Sequence, residues 1–355
     1  MCTIDKNKGK LNRWIYYFIV YSLVTYPLFY FSYKYNMPKF GSDDIYHYLR
    51  MYQDPFNFSV ADGPFVYRQL STIIVNYFEK FGIYYDAQIS FNDPNFSQRF
   101  YFAAILTNWL SLILGSCLVS IHFEKENTAS KNNLAIILVC FIFFNGYSGI
   151  FHGLSETTDG VSVALAISCY VAYKNQYKLI FAFLMVISIF QRELLMPIFG
   201  AVIFADILQA MYYHKKISRN YIWMFLSTIM TSFVYLYIRL YLLPDSSGVH
   251  DNQTSISQSI YTFFNTDINY EFIRQVFFTQ NVLILALFFL ILLPKFDRMN
   301  DKYLRKDLIS VSVVFVCIFL FGLAAGVGNN IGRILMYGTP FYMSLLLRCF
   351  QIINK

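Results

Sequence analysis

Asp43 and Asp44 stand side by side in the stretch GSDDIYHYLR, with His47 three and four residues further on. On a helix, positions three and four apart share a face, so the imidazole can meet either carboxylate. Such a face can supply a general base near neutral pH or hold a divalent metal ion. Three groups are too few to specify a metal by themselves, so the cofactor stays open, with Asp43 and Asp44 as its ligands if one binds. A plainer reading makes Ser42 the N-cap and both acids a first turn that suits the helix dipole.

A second group lies in HGLSETTDG, which carries Glu156 and Asp159, and in the later QRE, which carries Arg192 and Glu193. The apolar segments around these residues are short, about 12 residues against the roughly 20 that cross a bilayer core. Their charged ends therefore lie below the membrane surface. Ionisable groups at that depth mark a water-filled functional cavity, unless Arg192 only pairs with Glu156 or Glu193 to fasten helices.

A third pattern is the placing of arginines. Arg99, Arg192, Arg274 and Arg333 stand near the outer N-termini of apolar segments. A cation there opposes the helix dipole, which makes sense if an anion lies between, because backbone N–H groups and guanidinium both bind phosphate. Arg99 and Arg274 also suit interfacial snorkelling. Arg333 sits in GVGNNIGRILMYGTP, where glycines permit close backbone approach and Asn329 and Asn330 add donors. ADGPFVYRQL supplies a further arginine, Arg68.

The elements that position these groups follow from composition. The 355 residues are 57% hydrophobic and 14% charged, against about 25% charged in soluble domains. Apolar runs recur from end to end, which describes an all-α integral membrane protein of one polytopic domain, 1–355. About ten spans are expected, at 13–33, 101–121, 133–150, 160–173, 178–190, 194–212, 221–243, 276–294, 308–326 and 334–350. With both termini cytoplasmic, the short inner segments collect most of the 28 basic residues, as the positive-inside rule requires. The acids named above then face the extracytoplasmic side, and Asp206 alone lies within a span. The net charge of +7 is thereby explained without nucleic acid as a partner. The six cysteines form no CxxC pair, which argues against a zinc site or a disulfide framework. The first run has no cleavage site after it and reads as a span, not a signal peptide.

Two outer loops are long, at about 34–100 and 244–275. Within the first, Val66, Leu70, Ile73, Ile74, Tyr77, Phe78 and Phe81 recur at helical spacing. They predict an extracytoplasmic amphipathic helix that lies on the membrane interface or flat on the bundle.

Carboxylates for base or metal work, arginines for phosphate and aromatic rings for sugar faces together suit group transfer from a lipid-linked donor. The chain resembles the GT-C superfamily of integral membrane glycosyltransferases. The features that carry the resemblance are the cytoplasmic N-terminus, the acidic pair Asp43–Asp44 in the first long outer loop, the interfacial helix at about 66–81 and the span count. DGPFVYRQL also resembles a PF-x-YR-x-L signature of bacterial membrane proteins linked to cell-surface glycopolymers. The resemblance is best over the first hundred residues. It implies a bacterial inner-membrane enzyme with a polyprenyl-phosphate sugar donor, a glycolipid or glycan acceptor, and Asp43 or Asp44 as base or metal ligand. No DxD motif accompanies them. An O-antigen or capsule polymerase would use Arg192, Arg274 and Arg333 but leave Asp43 and Asp44 without a role. A transporter or flippase would need inverted repeats and broken helices in matching positions, and the sequence displays neither.

Overall fold

The computed structural model describes residues 2–35, 43–61, 67–85, 97–126, 133–144, 154, 157–242, 264–265, 302–324 and 331–353. Among them the regular secondary structure is entirely helical. In chain order the elements are α1 (Cys2–Tyr35), α2 (Asp43–Gln53), α3 (Gln69–Lys80), α4 (Gln98–Glu126), α5 (Asn133–Phe144), α6 (Asp159–Lys174), α7 (Lys178–Ile189), α8 (Leu195–Tyr212), α9 (Arg219–Tyr237), α10 (Lys302–Ala324), α11 (Ile331–Leu335) and α12 (Thr339–Ile353). A π-turn, Ile238–Leu242, ends α9, and a 3₁₀ turn, Met336–Gly338, separates α11 from α12.

Among the described residues, four segments are long and apolar enough to cross a membrane unaided: Leu11–Tyr35, Gln98–Glu126, Leu195–Tyr212 and Tyr303–Leu323. Leu134–Phe144 and Lys178–Ile189 are apolar but shorter. The segment expected at 276–294 lies outside the described residues. Side chains such as Leu23, Leu179, Phe183 and Phe233 are largely exposed, the outward polarity of helices surrounded by hydrocarbon rather than water.

α4 is the central element, with α1, α3 and α6 packed on it. α1 runs antiparallel to it. Trp109 Nε1 donates to Thr25 Oγ1 (2.8 Å), the hydroxyls of Tyr21 and Ser120 meet at 2.6 Å, and Tyr17 donates to Glu124 (2.6 Å). α6 runs parallel to α4. Asn108 and His122 in α4 meet Val161 and Asn175 at either end of α6, so the contacts are spaced by about four turns, roughly 21 Å, on both helices. Gly115 makes this approach possible: a Cβ there would stand 3.1 Å from Ile167 Cδ1 and 3.3 Å from Ala164 Cα.

Charged groups gather at the C-terminal end of α6. Lys174 pairs with Asp307 (3.1 Å), Arg348 reaches both Asp307 (3.5 Å) and Glu126 (3.6 Å), and Arg13 meets Glu124 (3.2 Å). Asp206 belongs to this end too. Lys306 holds it at 3.0 Å and the Tyr173 hydroxyl donates to it. Four of the basic residues assigned to inner segments by charge bias, Arg13, Lys174, Lys306 and Arg348, thus share one end of the bundle with these acids.

Arg333 does not stand at the start of a long helix, as the expected 334–350 span implies. It lies inside α11, and the chain turns at Met336–Gly338 before α12 begins. Pro340, lacking an N–H, suits the first turn of the new helix. A Cβ on Gly338 would fall 2.4 Å from Tyr342 Oη and 2.9 Å from Val314 Cγ1. Tyr342 is buried and has nowhere to go. Gly338→Ala should therefore cost about 1–3 kcal/mol as an overpacked site. The check is a lowered melting temperature in detergent, and an unchanged one would mean that the α11–α12 break tolerates a side chain.

Candidate functional site: a buried carboxylate between two arginines

The N-terminus of α6 is the focus. Asp159 is fully buried in its first turn, where the helix dipole favours a negative charge. Arg192 Nη2 donates to its Oδ1 at 2.6 Å and Arg333 Nε to its Oδ2 at 2.5 Å. The Tyr337 hydroxyl donates to Oδ1 (2.5 Å), and Thr157 Oγ1 to Oδ2 (3.1 Å). Arg192 Nε also bonds the Tyr337 hydroxyl, with its guanidinium 5.0 Å from that ring's centre. Four elements thus meet at one carboxylate: the α6 start, the α7–α8 turn, α11 and the 3₁₀ turn.

Among the described residues, Asp159 is the carboxylate that stands between Arg192 and Arg333. Burial disfavours charge on Arg192, and the contacts with Asp159 and the Tyr337 hydroxyl offset that cost. Arg192 is 6% exposed, so the pairing is desolvated and stronger than the same contact at a surface. Asp159 itself accepts four donors, which suits an anchor rather than a proton acceptor.

Depth follows from the helices. Asn108 Nδ2 donates to Thr157 O (2.6 Å), and its Oδ1 accepts from Val161 N–H (3.1 Å). α4 continues about ten residues beyond Asn108 to Gln98, roughly 15 Å of helix. The carboxylate thus lies about that distance along α4 from its N-terminal end.

The first long loop reaches this cluster. Tyr48, fully buried on α2, bonds Arg68 Nη1 and accepts from Thr158 Oγ1 at 3.4 Å. Gln191, beside Arg192, is equally buried. Its Oε1 accepts from Ser71 N–H (3.0 Å) and Oγ (2.8 Å), and its Nε2 donates to Thr158 O and Ser162 Oγ, both at 2.9 Å. Leu70 N–H donates to Phe190 O (3.0 Å).

The expected residues divide as follows. Asp159, Arg192 and Arg333 come together, and Arg68 joins them through Tyr48. Arg192 pairs with Asp159, and the Glu156 of the simple fastening account lies outside the described residues. Glu193 is half-buried and within electrostatic reach of Tyr235 on α9. α2 begins at Asp43, as expected, and His47 is half-buried one residue before Tyr48. The side chains of Asp43 and Asp44, together with Glu156, Arg274 and Asn330, lie outside the described residues. Arg99 is exposed and lies over the Tyr84 ring at 5.2 Å, the posture of a snorkelling side chain. Among the described residues no three His, Cys, Asp or Glu side chains converge as for a metal. Sequence reasoning missed Tyr48, Asn108, Gln191 and Tyr337. The one available signal was Tyr337, four residues after Arg333 and hence on its helical face. Comparison of the chain with protein-family models, curated proteins and solved structures returns no match.

Proposed function

We propose that this chain is an integral membrane glycosyltransferase. In this reading it moves a sugar from a polyprenyl-phosphate donor to a glycolipid or surface-polysaccharide acceptor on the extracytoplasmic face of a bacterial inner membrane. About ten spans, with both termini cytoplasmic, carry the site. The observation that supports it best is the convergence of Arg192 and Arg333 on Asp159 at the sunken end of α6. A donor phosphate binds against these guanidinium groups, and the isoprenoid chain remains in the bilayer beside it. Asp159 acts as the anchor that holds both arginines oriented before the donor arrives, so less ordering is lost on binding.

The acceptor hydroxyl must lose a proton as it attacks the anomeric carbon. Asp43 or Asp44, in the first turn of α2, is the assigned base, or the ligand of a divalent ion that lowers the hydroxyl's pKa. α2 supports that role because Tyr48, one turn after Asp44, connects it to Arg68 and Thr158. A polymerase that holds a pyrophosphate-linked glycan between the same arginines is the second reading.

Deletion of the gene, followed by composition and mass analysis of surface glycans, separates the two. A missing sugar substituent is the expected result. Loss of chain length with every sugar present would favour the polymerase, and an unchanged surface would overturn both. Orientation has its own check. Reporter fusions at Lys216 and Lys302 should read cytoplasmic, and those at Asp54 and Ser257 extracytoplasmic. An extracytoplasmic signal at Lys302 would put the carboxylates on the wrong side for an exported acceptor.

A further inference from the structure

The cations at the C-terminal end of α6 divide into two sets. Arg13, Lys174, Lys306 and Arg348 each stand 3.0–3.6 Å from a carboxylate. Lys178, Lys215, Lys216 and Arg219 belong to the same end. α7 begins at Lys178, four residues past Lys174, and α8 runs through Asp206, which Lys306 holds, to end at Tyr212 just before the other three. All four are exposed, and none meets an acid among the described residues. One part of this end is thus neutralised within the chain, and the other carries four uncompensated positive charges.

The turns that hold these four are closed and tied together. α6 ends through Gln176, with a left-handed backbone (φ 55°), and Tyr177 N–H donates back to Ala172 O (2.9 Å). α8 ends the same way through His214 (φ 50°), with Lys215 N–H donating to Ala210 O (2.8 Å). Both are the six-to-one closure of a helix C-terminus. Ser218 Oγ then donates to Gln176 Oε1 across the two turns (3.2 Å). That bond brings Lys178, two residues past Gln176, beside Lys216 and Arg219, which flank Ser218. Lys178 and Arg219 are also the first residues of α7 and α9, where the helix dipole disfavours a cation unless an anion lies between.

The surroundings indicate the source of the anion. Tyr177, Tyr212 and Tyr213 are exposed around the four charges, and Lys215 lies over the Tyr213 ring at 5.1 Å. Trp223, one turn after Arg219, is 59% exposed. Tyrosine and tryptophan in this posture sit at the level of lipid headgroups. Directly beyond them Leu179, Ile180 and Ile222 are exposed, so the charged patch runs without a break into the hydrocarbon-facing surface. A soluble acidic partner would meet only its upper half.

We propose that the paired α6–α7 and α8–α9 turns bind the headgroups of anionic phospholipids. Lys178, Lys215, Lys216 and Arg219 hold the phosphodiester oxygens, and the acyl chains lie along the exposed sides of α7 and α9. The inference stands without the glycosyltransferase reading. It also separates this corner from the self-neutralised cations of the same end, which a count of basic residues does not.

The test uses the full chain with Trp14→Phe and Trp109→Phe, so that Trp223 is the reporter, in phosphatidylcholine vesicles that contain brominated phosphatidylglycerol or brominated phosphatidylcholine at equal fractions. Quenching of Trp223 should show a preference for the anionic lipid of about fivefold or more, the factor that one basic residue contributes near anionic headgroups. The preference should fall in 1 M salt, where screening is close to complete. Adding Lys178→Gln, Lys215→Gln, Lys216→Gln and Arg219→Gln together should abolish it, and Arg13→Gln, at an exposed cation that has its own acid, should leave it intact. Equal quenching by the two lipids in the parent chain, or a preference that survives the four substitutions, would overturn the proposal. Should the tryptophan variant not fold, thermal unfolding of the otherwise native chain in detergent decides the matter. Added phosphatidylglycerol should then raise the melting temperature more than phosphatidylcholine does, and only while the four cations are present; equal shifts would sink the idea.

Discussion

Asp159→Ala is expected to be the most destabilising single substitution outside the apolar core. It removes the counter-charge shared by Arg192 and Arg333 while both guanidinium groups stay buried or nearly so. Breaking a buried pair from one side typically costs about 3–5 kcal/mol, because an uncompensated charge remains. Here two cations would also repel each other. A native protein is stable by only about 5–15 kcal/mol, so Asp159→Ala should express poorly and unfold early in detergent. Asp159→Asn keeps the shape and the oxygen that accepts from Arg192 or Arg333, and should fall between the two. The double variant Asp159→Ala, Arg333→Gln should recover part of the loss by removing one of the orphaned charges. Thermal unfolding followed by size-exclusion chromatography reads all three. A wild-type melting curve for Asp159→Ala would mean that water screens the cluster, and the anchor role would fail. For the functional reading, Arg192→Ala and Arg333→Ala should weaken donor use by about 30-fold to several thousand-fold, as for one side of a buried charged contact. Arg99→Ala, on an exposed side chain, should have little effect.

The second large effect is expected at the start of α2. The double variant Asp43→Asn, Asp44→Asn should lower glycosyl transfer by about 10²–10⁴-fold, the usual contribution of a general acid or base. It should do so without loss of the folded bundle. Asn and Asp serve about equally near a helix start, so the start of α2 at Asp43 and the contacts of Tyr48 should persist. This substitution separates chemistry from helix capping: a cap residue tolerates Asn and a proton acceptor does not. The single variants then assign the role, with Asp43 the first candidate. Chelator inhibition of the wild-type protein would favour the metal-ligand form, and insensitivity the direct base. Full glycopolymer formation by the double variant would end the catalytic reading of this loop and leave Asp43 and Asp44 as dipole partners.

What the sequence determined by itself is what depends on short-range pattern. Apolar length and helical spacing placed α6, α7, α8 and the candidate span Leu11–Tyr35 of α1 within a few residues, because a helix closes its own hydrogen bonds and its exterior is read directly from composition; α1 itself begins earlier, at Cys2. The shortness of the segment after Asp159 implied that its carboxylate is withdrawn from the end of the bundle, and α4 runs about ten residues past Asn108, which meets that segment. The bias of basic residues toward certain loops matched a real convergence, since Arg13, Lys174, Lys306 and Arg348 meet acids at one end. Only the tertiary structure decided who pairs with whom. Asp159 meets Arg333 across 174 residues of chain, and its pairing with Arg192 turns on helix rotation, which composition does not encode. Tyr48 and Gln191 are ordinary residues of a tyrosine-rich, apolar chain until packing buries their polar atoms together. The same applies to α3. Its period of 3.6 announces two faces, but a stripe of Leu, Ile, Tyr and Phe is equally compatible with a core and with lipid. Its direction became legible once Ser71 and Thr72 were found buried, because buried polar groups must be hydrogen-bonded and only the surrounding helices could supply their partners.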